Sequence, residues 1–264
     1  MAHLFIFGLG YSAKRIRAAA EALGWRVSAT GSEGEFAFQD EAGVRAAIAE
    51  AGHVLSSVPP GDAADPVLAQ YGDALDRRWL GYLSSTGVYG DTCGAWVDES
   101  APVGRGRRSA RSEADRAWLD RGARVFRLPG IYGPGRSALD RVADGRAHRI
   151  DLSGQVFSRV HVDDIASGVV AGLEAPPGAY NLADDLPASQ NAVIEEACRL
   201  LGAQLPPLQM LDEAGLSPQA RAFYAENRRV ANGKARRTLG WQPAFPTYRE
   251  GMRAILRPTS PEAR

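Results

Sequence analysis

Lysine is almost missing from this chain. Of its 31 lysine and arginine residues only Lys14 and Lys234 are lysines, a bias that a genome rich in arginine codons would produce. Neither charge is in excess, since 31 acidic residues balance the 31 basic ones. That balance argues against a general nucleic-acid or membrane-surface binder. The two cysteines, Cys93 and Cys198, lie far apart and form no CxxC, so neither a disulfide framework nor a cysteine zinc site is implied. The four histidines, His3, His53, His148 and His161, form no HxH or HxxxH pair, and no metal site is expected. No apolar run approaches the ~18 residues of a membrane span, and Leu4–Phe7 is too short for a signal-peptide core. The expectation is therefore a cytoplasmic protein with no membrane or nucleic-acid partner. GxSxG is absent, which disfavours serine-hydrolase chemistry.

What is present is ordinary globular material. The 264 residues are 45% hydrophobic and 23% charged. A chain of this size buries roughly 70–75% of its unfolded surface and needs no staples. Short apolar runs alternate with helix-period stretches over the first 130 residues. Strands are expected at Leu4–Phe7, Trp25–Thr30, a weak third at Glu35–Phe38, Val54–Val58, Trp79–Ser84 and Val125–Leu128. Between them, helices are expected with Ala13, Ile16, Ala20 and Leu23 on one face, at Glu41–Ala51, at Asp65–Arg77 and at Arg108–Arg121. Such alternation predicts βαβ units, and right-handed crossovers make a doubly wound, Rossmann-like parallel α/β sheet. After residue 135 the pattern loosens and prolines cluster, which suggests a smaller, mostly helical substrate subdomain. The expected division is residues 1–135 plus 158–183 for the nucleotide domain, and 136–157 plus 184–264 for the subdomain.

The first strand runs into Gly8-Leu9-Gly10-Tyr11-Ser12-Ala13, a GxGxxA between strand and helix. Gly8 permits the turn, Gly10 lets a pyrophosphate approach the backbone, and Ala13 allows close helix–sheet packing. The alternative is a glycine turn needed only for packing. Strand 2 ends Ala29-Thr30-Gly31-Ser32 with no acid at its tip to hold a ribose 2′-hydroxyl. The small residues Thr30 and Ser32 leave room for a 2′-phosphate, and Arg15 on the first helix could pair with it. Glu33 and Glu35 follow and could fold back. NADP is expected over NAD.

Four further segments carry a resemblance. They are Leu83-Ser84-Ser85-Thr86-Gly87-Val88-Tyr89-Gly90, Arg127-Leu128-Pro129-Gly130-Ile131-Tyr132-Gly133-Pro134-Gly135, Val160-His161-Val162-Asp163-Asp164-Ile165-Ala166 and Ala179-Tyr180-Asn181-Leu182-Ala183. After a glycine loop, and followed by Asn232-Gly233-Lys234-Ala235 and Leu239-Gly240-Trp241-Gln242-Pro243, they resemble the extended short-chain dehydrogenase/reductases of the NAD-dependent epimerase/dehydratase group. The resemblance implies a pyrophosphate loop at Gly8, Gly10, Tyr11, Ser12 and Ala13. It implies an adenosine-side strip at Ser57 and Val58 and a nicotinamide cover from Pro129 through Ile131 to Tyr132. It places Ser84 and Ser85 at the end of the next strand, Ser85 matching the catalytic Ser/Thr position. The alternative reading of Ser85 is a turn-capping serine. Homodimers are common in the group, through helices that here would be Asp65–Arg77 and Arg108–Arg121.

The pattern then breaks. The group's general acid is a Tyr, with a Lys four residues later that lowers its pKa and holds the ribose. Here no tyrosine occurs between Tyr89 and Tyr132, and no lysine between Lys14 and Lys234. The corresponding segment is Arg107-Arg108-Ser109-Ala110-Arg111-Ser112-Glu113. Arg107 or Arg111 could replace the lysine's charge but not shuttle a proton. The dehydratases' Asp-Glu is replaced by Thr86-Gly87, and the arginine expected four residues before His161 is Phe157. Nucleotide-sugar chemistry by the usual route is therefore not expected. Tyr89 and Tyr132 are alternative acids, with Ser85 and Thr86 orienting a small-molecule substrate. His161 and Asp163 could pair catalytically, but carboxylates at 163 and 164 read better as favouring a helix dipole. The Gly104–Arg111 patch reads as a solvated loop or an anion clamp. Two functions stay open: an oxidoreductase or isomerase with a non-standard acid/base, and a catalytically silent NADP-binding redox sensor or scaffold.

Overall fold

The structure is a computed structural model and describes residues 1–62, 64–76, 78–106 and 109–257. Six parallel strands form the central sheet: β1 (His3–Phe7), β2 (Arg26–Ala29), β3 (His53–Ser56), β4 (Trp79–Ser85), β5 (Arg124–Leu128) and β6 (Gly178–Asn181). Their order is β6-β5-β4-β3-β1-β2. Leu4 of β1 stands opposite Val27 on one side and His53 on the other. The chain thus steps one way from β1 to β2 and the other way through β3, β4, β5 and β6. A crevice opens at that reversal, outside the carboxyl ends of β1 and β3.

Period-two patterning divides the core. Leu4 and Ile6 face one layer with α1 (Tyr11–Ala22), while Phe5 and Phe7 face the other with α2 (Glu41–Glu50), α3 (Pro66–Tyr71) and α4 (Ser109–Asp120). All five residues of β1 are buried, as expected for a parallel strand covered on both faces. Two sequence expectations are corrected. Glu35–Phe38 is not a strand but a single bridge between Thr30 and Phe36. Phe36 and Phe38 turn into the core against Phe5 and Tyr71 instead, and Asp40 then caps α2. The helix expected over Asp65–Arg77 stops at Tyr71 and tightens into a 3-10 turn at Gly72–Leu75. Its expected end, Arg77, and the expected start of α4, Arg108, lie outside the described residues.

Beyond the sheet come α5 (Ala138–Ala143), α6 (Val162–Ala171), α7 (Gln190–Leu201), α8 (Pro218–Phe223), α9 (Gly233–Leu239) and α10 (Tyr248–Leu256). Helix α6 returns to pack on α1. Helices α5, α7 and α10 enclose a separate core of Tyr132, Leu139, Val193, Ile194, Cys198 and Met252. Two short parallel ribbons, Gly130–Tyr132 with Arg159–His161 and Trp96–Val97 with Arg229–Val230, tie the later chain to the loops above the sheet. Among the described residues no helix is long and apolar enough to cross a membrane.

Candidate active site

A cleft of about 700 Å³ lies over the reversal point. Its floor begins at the glycine loop. Gly8 has φ +83°, and a Cβ there would stand 3.0 Å from Val58. The Gly8 amide donates to Thr30 Oγ1 at 2.9 Å, and the Leu9 amide to the Thr30 carbonyl at 2.8 Å. Strand 2 therefore holds the turn. Gly10 caps α1 without a side-chain partner, and a Cβ on it would meet nothing within 4 Å. Open space above unsatisfied amides at a helix start is what a pyrophosphate requires. The residues present fit a dinucleotide.

Nine of the expected site residues line this one cleft: Gly10, Tyr11, Ser12, Ser57, Ser84, Ser85, Thr86, Pro129 and Ile131. Gly8, Ala13, Thr30, Ser32 and Val58 do not. Ala13 is fully buried, packing α1 on the sheet, and Thr30 is buried with its hydroxyl spent on Gly8. Ser32 is exposed on the turn after β2. The Ser85 hydroxyl accepts from the Gly87 amide at 3.1 Å and caps the short Thr86–Tyr89 turn. It lines the cleft as well.

Tyr89 and Tyr132 are placed elsewhere. Tyr89 is 1% exposed; it donates to Asn181 Oδ1 at 2.8 Å and accepts from Arg127 at 3.0 Å. Arg127 forms a buried two-point pair with Asp115, at 2.7 and 3.1 Å, and Ser84 donates to the same carboxylate at 2.6 Å. Burial raises the Tyr89 hydroxyl's pKa in spite of Arg127. Tyr132 turns toward α10, its hydroxyl reaching only the Thr247 carbonyl at 3.4 Å, and burial raises its pKa too. Neither hydroxyl lines the cleft. His161 is also structural: its Nδ1 accepts from the Asp163 amide at 3.2 Å and its ring packs on Tyr132 and Phe245. Burial lowers its pKa, with Asp163 opposing. Among the described residues no group of three potential ligands could hold a metal ion.

The sequence motifs do not mark several other residues in the cleft. Arg111 was singled out as a lysine substitute and does line it; Arg107 lies outside the described residues. Arg136, Phe157, Phe223, Glu226 and Arg228 also line it. Phe157, where an arginine was expected, stacks on Phe223 with ring centroids 4.4 Å apart. Arg228 donates to Glu226 at 2.8 Å and to the Gly90 carbonyl at 2.6 Å. These residues come from segments that fold over the sheet from far along the chain, and local pattern cannot place them. At the ribose end, Arg15 leans to Asp163 on α6 at 3.6 Å rather than to the β2 tip. Glu35 is tied to the Ala29 amide at 2.8 Å and Arg17 at 2.7 Å. Lys14 instead stands beside the turn, paired with Glu33.

A smaller chamber of about 240 Å³ continues from the cleft, sharing Gly130, Ile131, Arg136, Phe157, Ser158 and Phe223 with it. Tyr132, Arg141, Arg159, Tyr248 and Met252 line its inner walls.

No protein-family model matches the chain. A conserved protein from Silicibacter pomeroyi, described as functionally unknown, shares 39% identity over 97% of this chain and 98% of its own, with a TM-score of 0.84. The chain belongs to that protein's family. The fold recurs in a human epimerase family protein, SDR39U1, solved with NADPH: TM-score 0.71, 16% identity, 96% of this chain and 98% of that one. A curated relative from Streptomyces, 3-diazoavenalumate denitrifying reductase, is 32% identical over 60% of this chain and 55% of its own length. The chain therefore spans about half of that relative. Across the short-chain dehydrogenase/reductase resemblance, the open glycine cradle and the Ser85 position are the parts this structure retains in one cleft.

Proposed function

We propose that this protein is a cytoplasmic NADP-dependent oxidoreductase acting on a small molecule. The observation that carries the reading is the convergence of Gly10, Ser57, Ser85, Thr86 and Pro129 on a single cleft at the sheet's reversal point. When bound, a nicotinamide supplies or accepts hydride. Gly10 and the first amides of α1 would hold its pyrophosphate, and Pro129 to Ile131 would cover its reactive end. Lys14 beside the Gly31–Glu33 turn supplies a cation for a 2′-phosphate, and Glu35 is already engaged. Ser85 and Thr86 orient a substrate heteroatom, and Arg111 gives a fixed positive charge where the family keeps its lysine.

The cleft offers no tyrosine acid beyond Tyr11, whose hydroxyl donates to the Pro134 carbonyl at 3.1 Å. A substrate that exchanges a leaving group for hydrogen asks no proton of the protein. The Streptomyces relative's name, a denitrifying reductase, supports such a reaction. The test is NADPH oxidation, followed by absorbance, across acceptors with and without leaving groups. Ser85→Ala should lower turnover about 10²-fold with NADPH affinity unchanged. Tight NADPH binding with no oxidation of any acceptor would favour the second reading, a silent redox sensor or scaffold. The burial of Tyr89 and Tyr132 away from the cleft favours that reading.

A further inference from the structure

The chamber behind the cleft has a charge that the rest of the site does not explain. Three arginines line it, Arg136, Arg141 and Arg159, and no carboxylate does so among the described residues. Arg159 is 7% exposed and donates only to neutral oxygens: the Phe157 and Ala188 carbonyls at 2.9 Å and Gln190 at 3.2 Å. Asp184 is the acid whose charge acts most on Arg159, yet no hydrogen bond joins the two side chains. Arg141 is exposed as a residue, yet loss of water around its guanidinium lowers its pKa; its neighbour Asp140 is spent on capping Ser137. A buried guanidinium bonded only to neutral oxygens is costly, and a bound anion would offset that cost for Arg159, while the exposed Arg136 and Arg141 add positive charge at the chamber's wall. The walls themselves are flat and apolar. Phe157 and Phe223 stack at the entrance, and Tyr132, Tyr248 and Met252 close the inner end.

We infer that this chamber binds the carboxylate of a flat, aromatic or conjugated acid, with the acid's far end in the cleft beside Ser85. The inference deepens the proposed reductase reading and rests on it for the substrate's reacting end. Arg141 and Arg136 grip the carboxylate, Arg159 fixes the local positive charge, and Phe223 offers its ring face to the body of the acid. The chamber's small volume and aromatic walls favour a carboxylate on a planar body over a free phosphate.

Cinnamate, its methyl ester and inorganic phosphate serve as probes, each titrated calorimetrically into the full chain. Cinnamate should bind at least about 10-fold tighter than the ester, the margin of a charge-assisted hydrogen bond. Arg141→Gln should erase that margin, Arg141→Lys should restore part of it, and Arg136→Gln should reduce it less. NADPH affinity, measured separately, should be unchanged in Arg141→Gln. Equal binding of acid and ester, no binding of either at millimolar concentration, phosphate binding as tight as cinnamate's, or a margin that survives Arg141→Gln would overturn the inference. Failure of NADPH to bind the wild type would instead defeat the reductase reading, and cinnamate binding would stand as a separate result.

Discussion

Tyr132 and Tyr89 show how far a residue's identity falls short of its placement. Both follow family motifs, and both are aimed into packing rather than into the cleft. Tyr89 should behave as a structural hydroxyl. Tyr89→Phe removes bonds to Arg127 and Asn181 and should cost about 1–3 kcal/mol in denaturant unfolding, while NADPH affinity stays put. A fall in NADPH affinity without loss of stability would contradict that role. Asp184 gives a pH signature. Burial raises its pKa to about 8, against the opposing pull of Arg159. A carboxyl group with a folded pKa above its unfolded value, here 3.8, contributes most stability below that value. The contribution is lost as pH rises toward about 8. Asp184→Asn should therefore gain about 1–3 kcal/mol relative to wild type between pH 5 and 8. Unfolding curves at both pH values would show it, and parallel pH profiles would refute it. The sequence made Gly8, Gly10 and Ser85 legible because their chemistry is local to a strand end. It left Arg136 and Arg141 unmarked, and offered Arg159 only as the arginine nearest the position that Phe157 fills, because their meaning comes from sharing a wall.

At the scale of elements, a buried polar network joins β4, β5 and α4. Ser84 and Arg127 leave adjacent strands and meet on Asp115 of the helix, and Tyr89 and Asn181 extend the network. The Asp115–Arg127 pair is buried, with side chains 1% and 3% exposed. Asp115→Ala would leave the arginine's charge unpaired in the interior and should cost about 3–5 kcal/mol by chemical denaturation. A loss under 1 kcal/mol would mean that water or a neighbour takes over the pairing. Helix and strand order was readable because β1, α1, β2 and β3 each carry their period plainly. The Glu35–Phe38 segment misled because Phe36 and Phe38 alternate as a strand would, while the Gly31–Gly34 turn uses the backbone that a strand would need. Gly34 shows this directly: a Cβ there would sit 2.4 Å from the Ala29 carbonyl oxygen.

For the whole molecule, the strand order β6-β5-β4-β3-β1-β2 makes a reversal, the reversal makes the crevice, and later segments roof it. The scarcity of lysine acquires its meaning here. With lysine only at 14 and 234, the helix after the Ser85 strand presents Arg111 to the cleft, in the segment where the short-chain dehydrogenase/reductase resemblance implies a lysine. Charge is retained there, while the tyrosine acid is lost. On the proposed reductase reading, that combination favours hydride exchange that draws its proton from elsewhere or needs none. The central claim is that the crevice holds a nicotinamide dinucleotide across Gly10. It is tested most directly by titrating NADPH into wild type and Gly10→Val and following nucleotide fluorescence. A Cβ there meets no protein atom within 4 Å, so the variant should still fold, with the modest loss of stability that a β-branched N-cap brings. The account predicts saturable binding by wild type and at least about 100-fold weaker binding by the variant. Equal affinity in the two proteins, or no binding by either, would contradict it.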